Sequence, residues 1–226
     1  MTVRIFVGFD QREAIAYHTF CQSIIERSSN LVSFHPLALR NLRNTYAEMH
    51  RDGSNEFIYS RFLVPALCDF QGWALFCDGD MIVQDDIYKL WQMRNSNYAA
   101  QVVQHDYKTR YPFKYLGARN EDYPRKNWSS VILWNCSHPA NRILTPDMVS
   151  ESTGSYLHRF SWLPDHLIGR LPIGWNHLVG ELPPNPEAPL LHYTIGTPCF
   201  NNFRDFECAD RWHAECAKVN HAQSDF

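Results

Sequence analysis

Two aspartates separated by one residue, Asp78 and Asp80, are the most informative feature of the sequence. They stand in the string FCDGDMIV, directly after the apolar run Trp73–Cys77, which predicts a strand buried on both faces. Residues i and i+2 of an extended chain point to the same side, so the two carboxylates can converge on one cation. Gly79 between them lets a ligand approach the backbone. Oxygen ligands of this kind favour a hard divalent ion such as Mg²⁺ or Mn²⁺.

A distant histidine, His192 in the string PLLHYTIGTPCF, is the candidate for a third metal ligand. It also follows a strand-like run, and a neutral imidazole could complete the protein ligands. Taken alone, the acidic tripeptide also fits a turn between strands, and one histidine among eleven also fits a half-buried side chain satisfied by hydrogen bonds. Gly196 would let backbone N–H groups approach phosphate oxygens, which links this segment with an anionic ligand.

The apolar pattern along the chain predicts the elements that must position these side chains. Helical spacing predicts helices over residues 11–27 and 56–70 and a short helix over 164–169. Strands are predicted over residues 3–9, 31–39, 73–77, 98–104 and 131–134. The second of these strands is expected to break at Pro36. The alternation indicates an α/β fold with a mainly parallel sheet flanked by helices, which binds ligands at the carboxyl ends of its strands.

The remaining features restrict the organisation and the partners of the protein. The 226 residues include no linker rich in Gly, Ser and Pro, so one domain over residues 1–226 is predicted. A net charge of -3 and the lack of a long Lys/Arg run disfavour nucleic acid and a polybasic membrane contact. The chain starts directly in an apolar strand and contains no run of membrane-spanning length, so a cytoplasmic location is expected. Residues 105–127 are polar and aromatic, which predicts a long loop that acts as a lid or an acceptor surface.

Four blocks, in order along the chain, resemble the retaining glycosyltransferases of family 8, the glycogenin and bacterial lipopolysaccharide galactosyltransferase type. The blocks are YSRFLVPAL with WALFCDGDMIVQDDIYKLW, then WSSVILWN, LPDHLIGRLPIGWN and LLHYTIGTPCF. The resemblance implies the GT-A fold and metal-dependent transfer of a sugar from a nucleotide diphosphate sugar, by expectation a UDP-sugar, to an acceptor hydroxyl with retention of configuration. It also implies a carbohydrate or glycan acceptor, and it is compatible with peripheral association with a glycolipid acceptor.

The resemblance also assigns roles to individual residues of this sequence. It implies that Asp78, Asp80 and His192 bind Mn²⁺ or Mg²⁺, that Asp10 contacts the nucleoside, and that Asp165 holds the transferred sugar. The implied donor-binding residues are Phe9, Asp10, Arg12, Arg61, Asp78, Gly79 and Gly196. The candidate catalytic residues are Asp165, His166 and Arg61.

Several positions depart from the family pattern. Thr197 stands where the family has a lysine, which removes a cation from the diphosphate site. The candidates to replace that charge are Lys126, Arg170 and Arg204. The other departures are Arg12 for Asn, Trp128 and Ser129 for Asn-Ala, His166 for Gln, and Cys199 for Trp.

Two other functions remain open at this point. A phosphohydrolase of the haloacid-dehalogenase type also uses Asp-x-Asp after an apolar strand, but there the motif follows the first strand, whereas here two apparent strands precede it. The departures at Trp128 and Thr197 also fit a catalytically silent protein that binds a nucleotide sugar or a carbohydrate.

Overall fold

The computed structural model of the chain describes residues 2–51 and 55–219. These residues contain nine strands and seven α-helices. The strands are β1 (Val3–Gly8), β2 (Val32–Leu37), β3 (Trp73–Cys77), β4 (Met81–Val83), β5 (Ala100–Val103), β6 (Val131–Asn135), β7 (Ile168–Leu171), β8 (His177–Leu178) and β9 (Leu190–His192). The helices are α1 (Ala14–Arg27), α2 (Leu39–Leu42), α3 (Val64–Leu67), α4 (Ile87–Gln92), α5 (Pro146–Glu151), α6 (Gly154–His158) and α7 (Ala209–Val219).

Six strands form the central sheet, in the order β2-β1-β3-β6-β5-β7. β1 runs parallel to β2 and β3, and β5 runs parallel to β7. β6 is antiparallel to both of its neighbours. Each of the five predicted strands corresponds to a strand of this sheet. The predicted α/β fold with a mainly parallel sheet is therefore confirmed, while its extent as one domain over residues 1–226 stays a prediction.

Three predicted elements differ from the observed ones. The short helix predicted over residues 164–169 is a 3-10 turn, Asp165–Leu167, and β7 starts at Ile168. β2 continues through Pro36, which pairs with Val7, instead of breaking there. Proline cannot donate to a ladder, but β2 is an edge strand, where a missing N–H is tolerated. The helix predicted over residues 56–70 is a 3-10 turn, Ser60–Leu63, followed by the short α3 with Pro65 in its first turn. Proline suits the first turn of a helix because the N–H there lacks a partner anyway.

The core consists of two large apolar clusters, one on each face of the central sheet. In β1, Ile5 belongs to one cluster and Phe6 to the other, and in β3 the same holds for Leu75 and Phe76. This alternation follows from the strand geometry, in which successive side chains point to opposite faces. α1 contributes Ile24 to the cluster that contains Ile5. The central strands are thus fixed from both sides, which gives their carboxyl ends a defined position.

A second, three-stranded sheet with the order β4-β9-β8 lies directly after the acidic motif. β4 and β9 pair antiparallel, and their register sets Met81 opposite His192. Beyond the pair, the backbone N–H of Tyr193 donates to the carbonyl oxygen of Asp80 at 2.9 Å. This register brings the end of the acidic motif beside a histidine from the distant part of the chain.

Residues 105–127 form a long loop with one short 3-10 turn, Tyr115–Gly117, and an isolated bridge between Phe113 and Arg119. The backbone N–H of Tyr115 donates to the carbonyl oxygen of Ile195 at 2.7 Å. This bond holds the loop against the segment that follows β9. We call residues 105–127 the covering loop.

Two neighbouring isoleucines in α1 test the packing of the core. Ile24 is fully buried, whereas Ile25 is 58% exposed. We expect Ile24→Ala to lower the free energy of unfolding by about 2–5 kcal/mol, since it leaves a cavity in the core. Ile25→Ala should change it by less than about 0.5 kcal/mol. Urea unfolding of both variants measures the difference, and equal losses would contradict the described packing of α1.

Candidate functional site

Three buried side chains, Asp78, Asp80 and His192, meet at the junction of the two sheets. Nε2 of His192 lies 3.8 Å from Oδ2 of Asp78 and 3.3 Å from Oδ1 of Asp80. One ligand atom from each residue lies within 4.8 Å of the others, and the residues are 7%, 7% and 1% exposed. The structure thus brings together the three residues that the sequence proposes as metal ligands.

The backbone fixes both aspartates of the motif. The N–H of Asp78, directly after β3, donates to the carbonyl oxygen of Ser130 at 3.0 Å. A Cβ atom on Gly79 would lie 2.4 Å from the carbonyl oxygen of Gly8, at the end of β1. The residue between the two carboxylates must therefore be glycine, because any side chain would meet backbone that cannot move aside.

Asn176 orients the imidazole of His192. Nδ2 of Asn176 donates to the carbonyl oxygen of Asn127 at 3.1 Å, so its Oδ1 is the atom that lies 2.8 Å from Nδ1 of His192. An amide oxygen only accepts hydrogen bonds, hence Nδ1 of His192 carries the hydrogen. When the ring is neutral, the lone pair of Nε2 therefore faces the carboxylates, where it can bind a metal ion. The sequence assigns no role to Asn176, although it lies in one of the four blocks.

Arg61, predicted to contact the donor, lies beside the acidic pair, and its donor contact stays a prediction. Its Nη1 is 2.7 Å from Oδ1 of Asp78 and donates to the carbonyl oxygen of Ser129 at 2.9 Å. The guanidinium also lies over the rings of Phe57 and Phe76, at 5.4 and 5.0 Å from their centroids. This buried cation balances one of the two carboxylates at contact distance.

The pKa values of the two aspartates shift in opposite directions. Burial raises the pKa of Asp78 above its ordinary value, and the attraction of Arg61 offsets that rise only in part. Burial alone would also raise the pKa of Asp80, but His192, and then Lys114, lower it below the ordinary value. The charges close to each carboxylate thus decide whether its pKa rises or falls on burial.

The chemistry of the three side chains fits a divalent cation. The Oδ1 atoms of Asp78 and Asp80 accept no hydrogen bond, since the close Nη1 of Arg61 does not point along hydrogen-bond geometry. Buried carboxylate oxygens without donors are costly unless a cation compensates them. Two carboxylates and one neutral imidazole form a ligand set that suits Mn²⁺ and Mg²⁺.

A lysine of the covering loop, Lys114, lines the same cavity as the acidic pair and His192. Its Nζ donates to Oγ1 of Thr194 at 2.7 Å. Burial lowers the pKa of Lys114, and the attraction of Asp80 and Asp78 offsets this only in part. The sequence did not indicate Lys114, because the covering loop has no periodic pattern that fixes where its side chains point.

The three cations proposed from the sequence lie elsewhere. Nζ of Lys126 donates to Oδ1 of Asn120 at 2.6 Å and to the carbonyl oxygen of Glu121 at 2.7 Å. Arg170, in β7, and Arg204 are exposed. None of these three residues is among the described residues that line the metal cavity, whereas Lys114 is.

A buried carboxyl group that the sequence did not single out, Glu13, lies near Asp80. Oγ1 of Thr197 donates to Glu13 at 2.9 Å, and the hydroxyl of Tyr115 donates to it at 3.2 Å. Burial, followed by repulsion from Asp80, raises the pKa of Glu13 to about 8. Thr197, at the position of the missing lysine, is therefore engaged in holding this carboxyl group and the covering loop.

The residues predicted at the nucleoside lie next to the metal cavity but do not line it. Both carboxylate oxygens of Asp10 accept hydrogen bonds from Arg12, and Oδ2 also accepts one from the N–H of Glu56 at 3.2 Å. Burial raises the pKa of Asp10, but the bonds from Arg12 outweigh it and lower the value. The ring of Phe9 packs edge-on against Tyr17. The donor contacts of Phe9, Asp10 and Arg12 stay predictions.

The remaining predicted residues lie farther from the acidic pair. The side chain of Asp165 is 89% exposed and pairs with Nη2 of Arg125 in the covering loop at 2.6 Å. Its neighbour His166 is exposed as well. Gly196 packs so closely on Phe203 that a Cβ atom would lie 2.3 Å from the ring. The structure does not bring Asp165 or His166 to the metal cavity, and their catalytic roles stay predictions.

A mainly parallel α/β sheet that ends in an Asp-x-Asp pair, beside a histidine from a second small sheet, is the arrangement that the resemblance to the GT-A glycosyltransferases implies. Residues 2–137 match the family described as Glycosyl transferase family 8. Protein CDI of Arabidopsis thaliana is 44% identical over 225 residues, which cover 96% of this chain and 87% of the relative. The chain belongs to glycosyltransferase family 8, and it is a glycosyltransferase.

Solved structures agree with this fold. The galactosyltransferase LgtC, in complex with donor and acceptor sugar analogs, matches 98% of both chains with a TM-score of 0.58 and 14% identity. The glycosyltransferase GlyE of Streptococcus pneumoniae matches with a TM-score of 0.63 and 14% identity, and this chain spans 62% of its length. The bifunctional WbbM matches with a TM-score of 0.60 and 15% identity over half of its length. The expected GT-A fold is confirmed.

None of the helices within residues 2–51 and 55–219 is long and apolar enough to cross a bilayer. The cytoplasmic location stays a prediction.

The hydrogen bond from His192 to Asn176 yields a test of the metal group. We expect Asn176→Ala to weaken Mn²⁺ binding by roughly 10- to 100-fold, since partners that orient a metal-bound histidine have effects of that size. Asp85→Asn, at an exposed pair with Lys89, is the control and should bind Mn²⁺ like the unchanged protein. Mn²⁺ titration followed by electron paramagnetic resonance measures both. Unchanged affinity in Asn176→Ala, with the fold intact, would contradict the proposed orientation.

Proposed function

We propose that this enzyme transfers a sugar from a nucleotide diphosphate sugar, by expectation a UDP-sugar, to a hydroxyl group of a glycan acceptor with retention of configuration. Asp78, Asp80 and His192 would hold the required Mn²⁺ or Mg²⁺. The observation that carries the proposal is the convergence of these buried side chains at the carboxyl end of β3, with carboxylate oxygens that accept no hydrogen bond. Family membership supplies the reaction class.

Each side chain around the cavity has a defined task in this proposal. A divalent ion bound there would act as a Lewis acid toward the diphosphate oxygens of the donor. Asp78 and Asp80 would supply carboxylate oxygens to that ion, and Arg61 favours the ionised form of Asp78. Asn176 keeps the lone pair of His192 directed at the ion. The ligands therefore need little rearrangement when donor and metal bind.

Lys114 contributes the positive charge that the leaving group requires. In the transfer, the bond between the anomeric carbon and the diphosphate oxygen breaks, and the diphosphate leaves with the electron pair. The acceptor oxygen bonds to the anomeric carbon on the face that the diphosphate vacates, and its proton passes to a phosphate oxygen. Fixed positive charge aimed at the departing oxygens lowers the barrier to this step. The ammonium of Lys114 lines the cavity without an ion pair to either aspartate within 4.0 Å, whereas Arg61 is paired with Asp78.

The covering loop must open for the donor to enter. The metal cavity measures about 80 Å³, well below the roughly 300–1,000 Å³ of small-molecule sites. Lys114 and Tyr115 close it by bonding to Thr194, Ile195 and Glu13. Such loops commonly exclude water during transfer and release product when they reopen.

Loop opening would also change the surroundings of the exposed Asp165. Its partner Arg125 belongs to the covering loop, so displacement of the loop separates the pair. The carboxylate would then be available to a sugar hydroxyl. Asp165 and His166 remain candidates for contacts with the transferred sugar on this basis.

Release of UDP tests the proposed reaction. We expect a panel of UDP-sugars to include at least one that yields UDP in the presence of Mn²⁺ and none with excess chelator. Asp80→Asn should lower that rate by at least about 100-fold, as removal of a metal ligand abolishes charge stabilisation of about 2.7 kcal/mol or more. Asp85→Asn is the matched control.

Three results would contradict the reaction. Release of UDP that persists with excess chelator would show that the reaction does not need the metal. Binding of a UDP-sugar without release in any condition points to the silent carbohydrate-binding protein. Phosphate release from a simple phosphomonoester points to the hydrolase.

Lys114 yields a second test. We expect Lys114→Met to raise the KM for the donor and to lower kcat/KM by about 10- to 100-fold, because a hydrogen bond to a charged group is worth about 1.5–3 kcal/mol. Mn²⁺ binding without donor should not weaken, since the lysine repels the ion. Lys89→Met, on the exposed surface of α4, is the control. Donor kinetics unchanged by Lys114→Met would show that the lysine does not contact the diphosphate.

A further inference from the structure

A second cavity, of about 350 Å³, lies between the two ends of the covering loop. Residues 105–108 form one wall and residues 122–126 the other. We call it the outer cavity. Its volume falls within the range of small-ligand sites, unlike that of the metal cavity. Of the residues considered for the donor from the sequence, only Lys126, a candidate cation for the diphosphate, lines the outer cavity.

The outer cavity adjoins the metal cavity. Tyr123 lines both, so a single side chain separates a molecule in the outer cavity from the group around Asp78. Trp128 contacts both sites through its neighbours. Its Nε1 donates to the carbonyl oxygen of His105 at 2.9 Å, and the following residue, Ser129, lines the metal cavity. A molecule in the outer cavity would therefore lie beside a donor bound at the metal cavity.

A buried histidine, His105, lines the outer cavity directly after β5 and is only 6% exposed. Neither of its ring nitrogens has a hydrogen-bond partner. The backbone of Asn176 lies beside the ring but outside hydrogen-bond geometry. Buried polar groups are normally paired, and an unpaired one suggests a missing ligand. A neutral imidazole offers one donor and one acceptor, the complement of a hydroxyl group.

The cations in the wall of the outer cavity already have partners. Nη1 of Arg125 donates to the carbonyl oxygen of Arg159 at 2.6 Å, and its Nη2 pairs with Asp165. Nζ of Lys126 has two oxygen partners within the covering loop, and Nζ of Lys108 lies 3.8 Å from Asp122. The two acids of the same wall, Asp106 and Asp122, add negative charge, which disfavours an anionic ligand.

Aromatic surface completes the outer cavity. Tyr107 and Tyr123 line it, and Oη of Tyr107 is fixed because it accepts a hydrogen bond from Nδ2 of Asn127 at 2.9 Å. An amphipathic tyrosine ring offers an apolar face to the C–H groups of a sugar ring. Two such rings, a neutral imidazole and internally balanced charges suit an uncharged polyhydroxylated ligand.

We propose that the outer cavity is the acceptor subsite and binds the terminal unit of an uncharged glycan, with His105 holding one sugar hydroxyl and Tyr123 packing on the sugar face. The neighbouring hydroxyl would face the metal cavity past the edge of Tyr123. This assignment rests on the proposed sugar transfer, but it concerns the acceptor and not the donor.

Kinetics with defined acceptors test the assignment. The probes are the uncharged p-nitrophenyl glucoside, galactoside and xyloside, with the glucuronide as the anionic comparison. Each is added to the full chain with Mn²⁺ and the UDP-sugar that is hydrolysed fastest. We expect at least one uncharged glycoside to accelerate UDP release and to become glycosylated, and the glucuronide to do so at least about 10-fold less efficiently in kcat/KM.

Variants at His105 and Tyr123 localise the effect. His105→Ala and Tyr123→Ala should each raise the KM for the glycoside by about 10-fold or more. Hydrolysis of the donor in the absence of acceptor should remain within about twofold for His105→Ala. His105→Gln, which keeps a donor and an acceptor, and Tyr123→Phe, which keeps the ring, should recover most of the affinity. His18→Ala, at an exposed histidine of α1, is the control.

The outcomes separate this inference from the proposed function. Metal-dependent hydrolysis of a UDP-sugar, together with glycoside kinetics that His105→Ala leaves unchanged, overturns the acceptor subsite and leaves the transferase intact. A higher kcat/KM for the glucuronide than for the uncharged glycosides also overturns it. So does the result that no uncharged glycoside is glycosylated and none binds, as measured by saturation-transfer NMR with UDP and Mn²⁺. Equal loss of donor hydrolysis and of acceptor use in His105→Ala overturns it as well, since the histidine would then serve the donor site. Absence of donor hydrolysis in the unchanged protein instead argues against the proposed function.

Discussion

The site depends on one electrostatic constraint: two carboxylates are buried side by side where water cannot solvate them. Desolvation of an ionised carboxylate is costly unless opposite charge compensates it nearby. Arg61 supplies one positive charge at 2.7 Å from Asp78, which leaves Asp80 with His192 and the more distant Lys114. A divalent ion would satisfy the remaining oxygens and compensate the charge of both acids. The rest of the fold serves to hold these few groups together.

Two sheets, one of six strands and one of three, hold these groups together. The central sheet fixes β3 between β1 and β6, so the acidic motif emerges at a defined point of its carboxyl edge. The small sheet then brings β9 back against β4, in a register that sets His192 beside the motif. Because a one-residue slip would turn His192 to the opposite face, the pairing of β4 with β9 determines whether the cluster exists at all. Metal binding is thus tied to the pairing of strands that are far apart in sequence.

The sequence predicts the framework of this site but not its surroundings. Asp78 and Asp80 are recognisable because a strand buried on both faces has a strong local signal and ends at the motif. Pro36 was expected to end a strand, and only the sheet order, which puts β2 at an edge, explains why it does not. Lys114 carried no signal, because a loop side chain is positioned by tertiary contacts, here with Thr194, and not by local pattern. Asn176 lies in one of the four blocks, but only its contact with the imidazole reveals its role. The sequence thus predicts the metal-binding side chains, whereas the residues that orient them and shift their pKa values are found only in the structure.

The central claim is that two acids and one imidazole hold a single divalent ion that serves a nucleotide diphosphate. A crystal grown with MnCl₂ and UDP, measured on both sides of the manganese absorption edge, addresses it directly. The account predicts an anomalous peak in contact with Asp78, Asp80 and Nε2 of His192, with diphosphate oxygens as its other ligands. A peak that avoids these side chains, or UDP bound with no manganese beside it, would contradict the account.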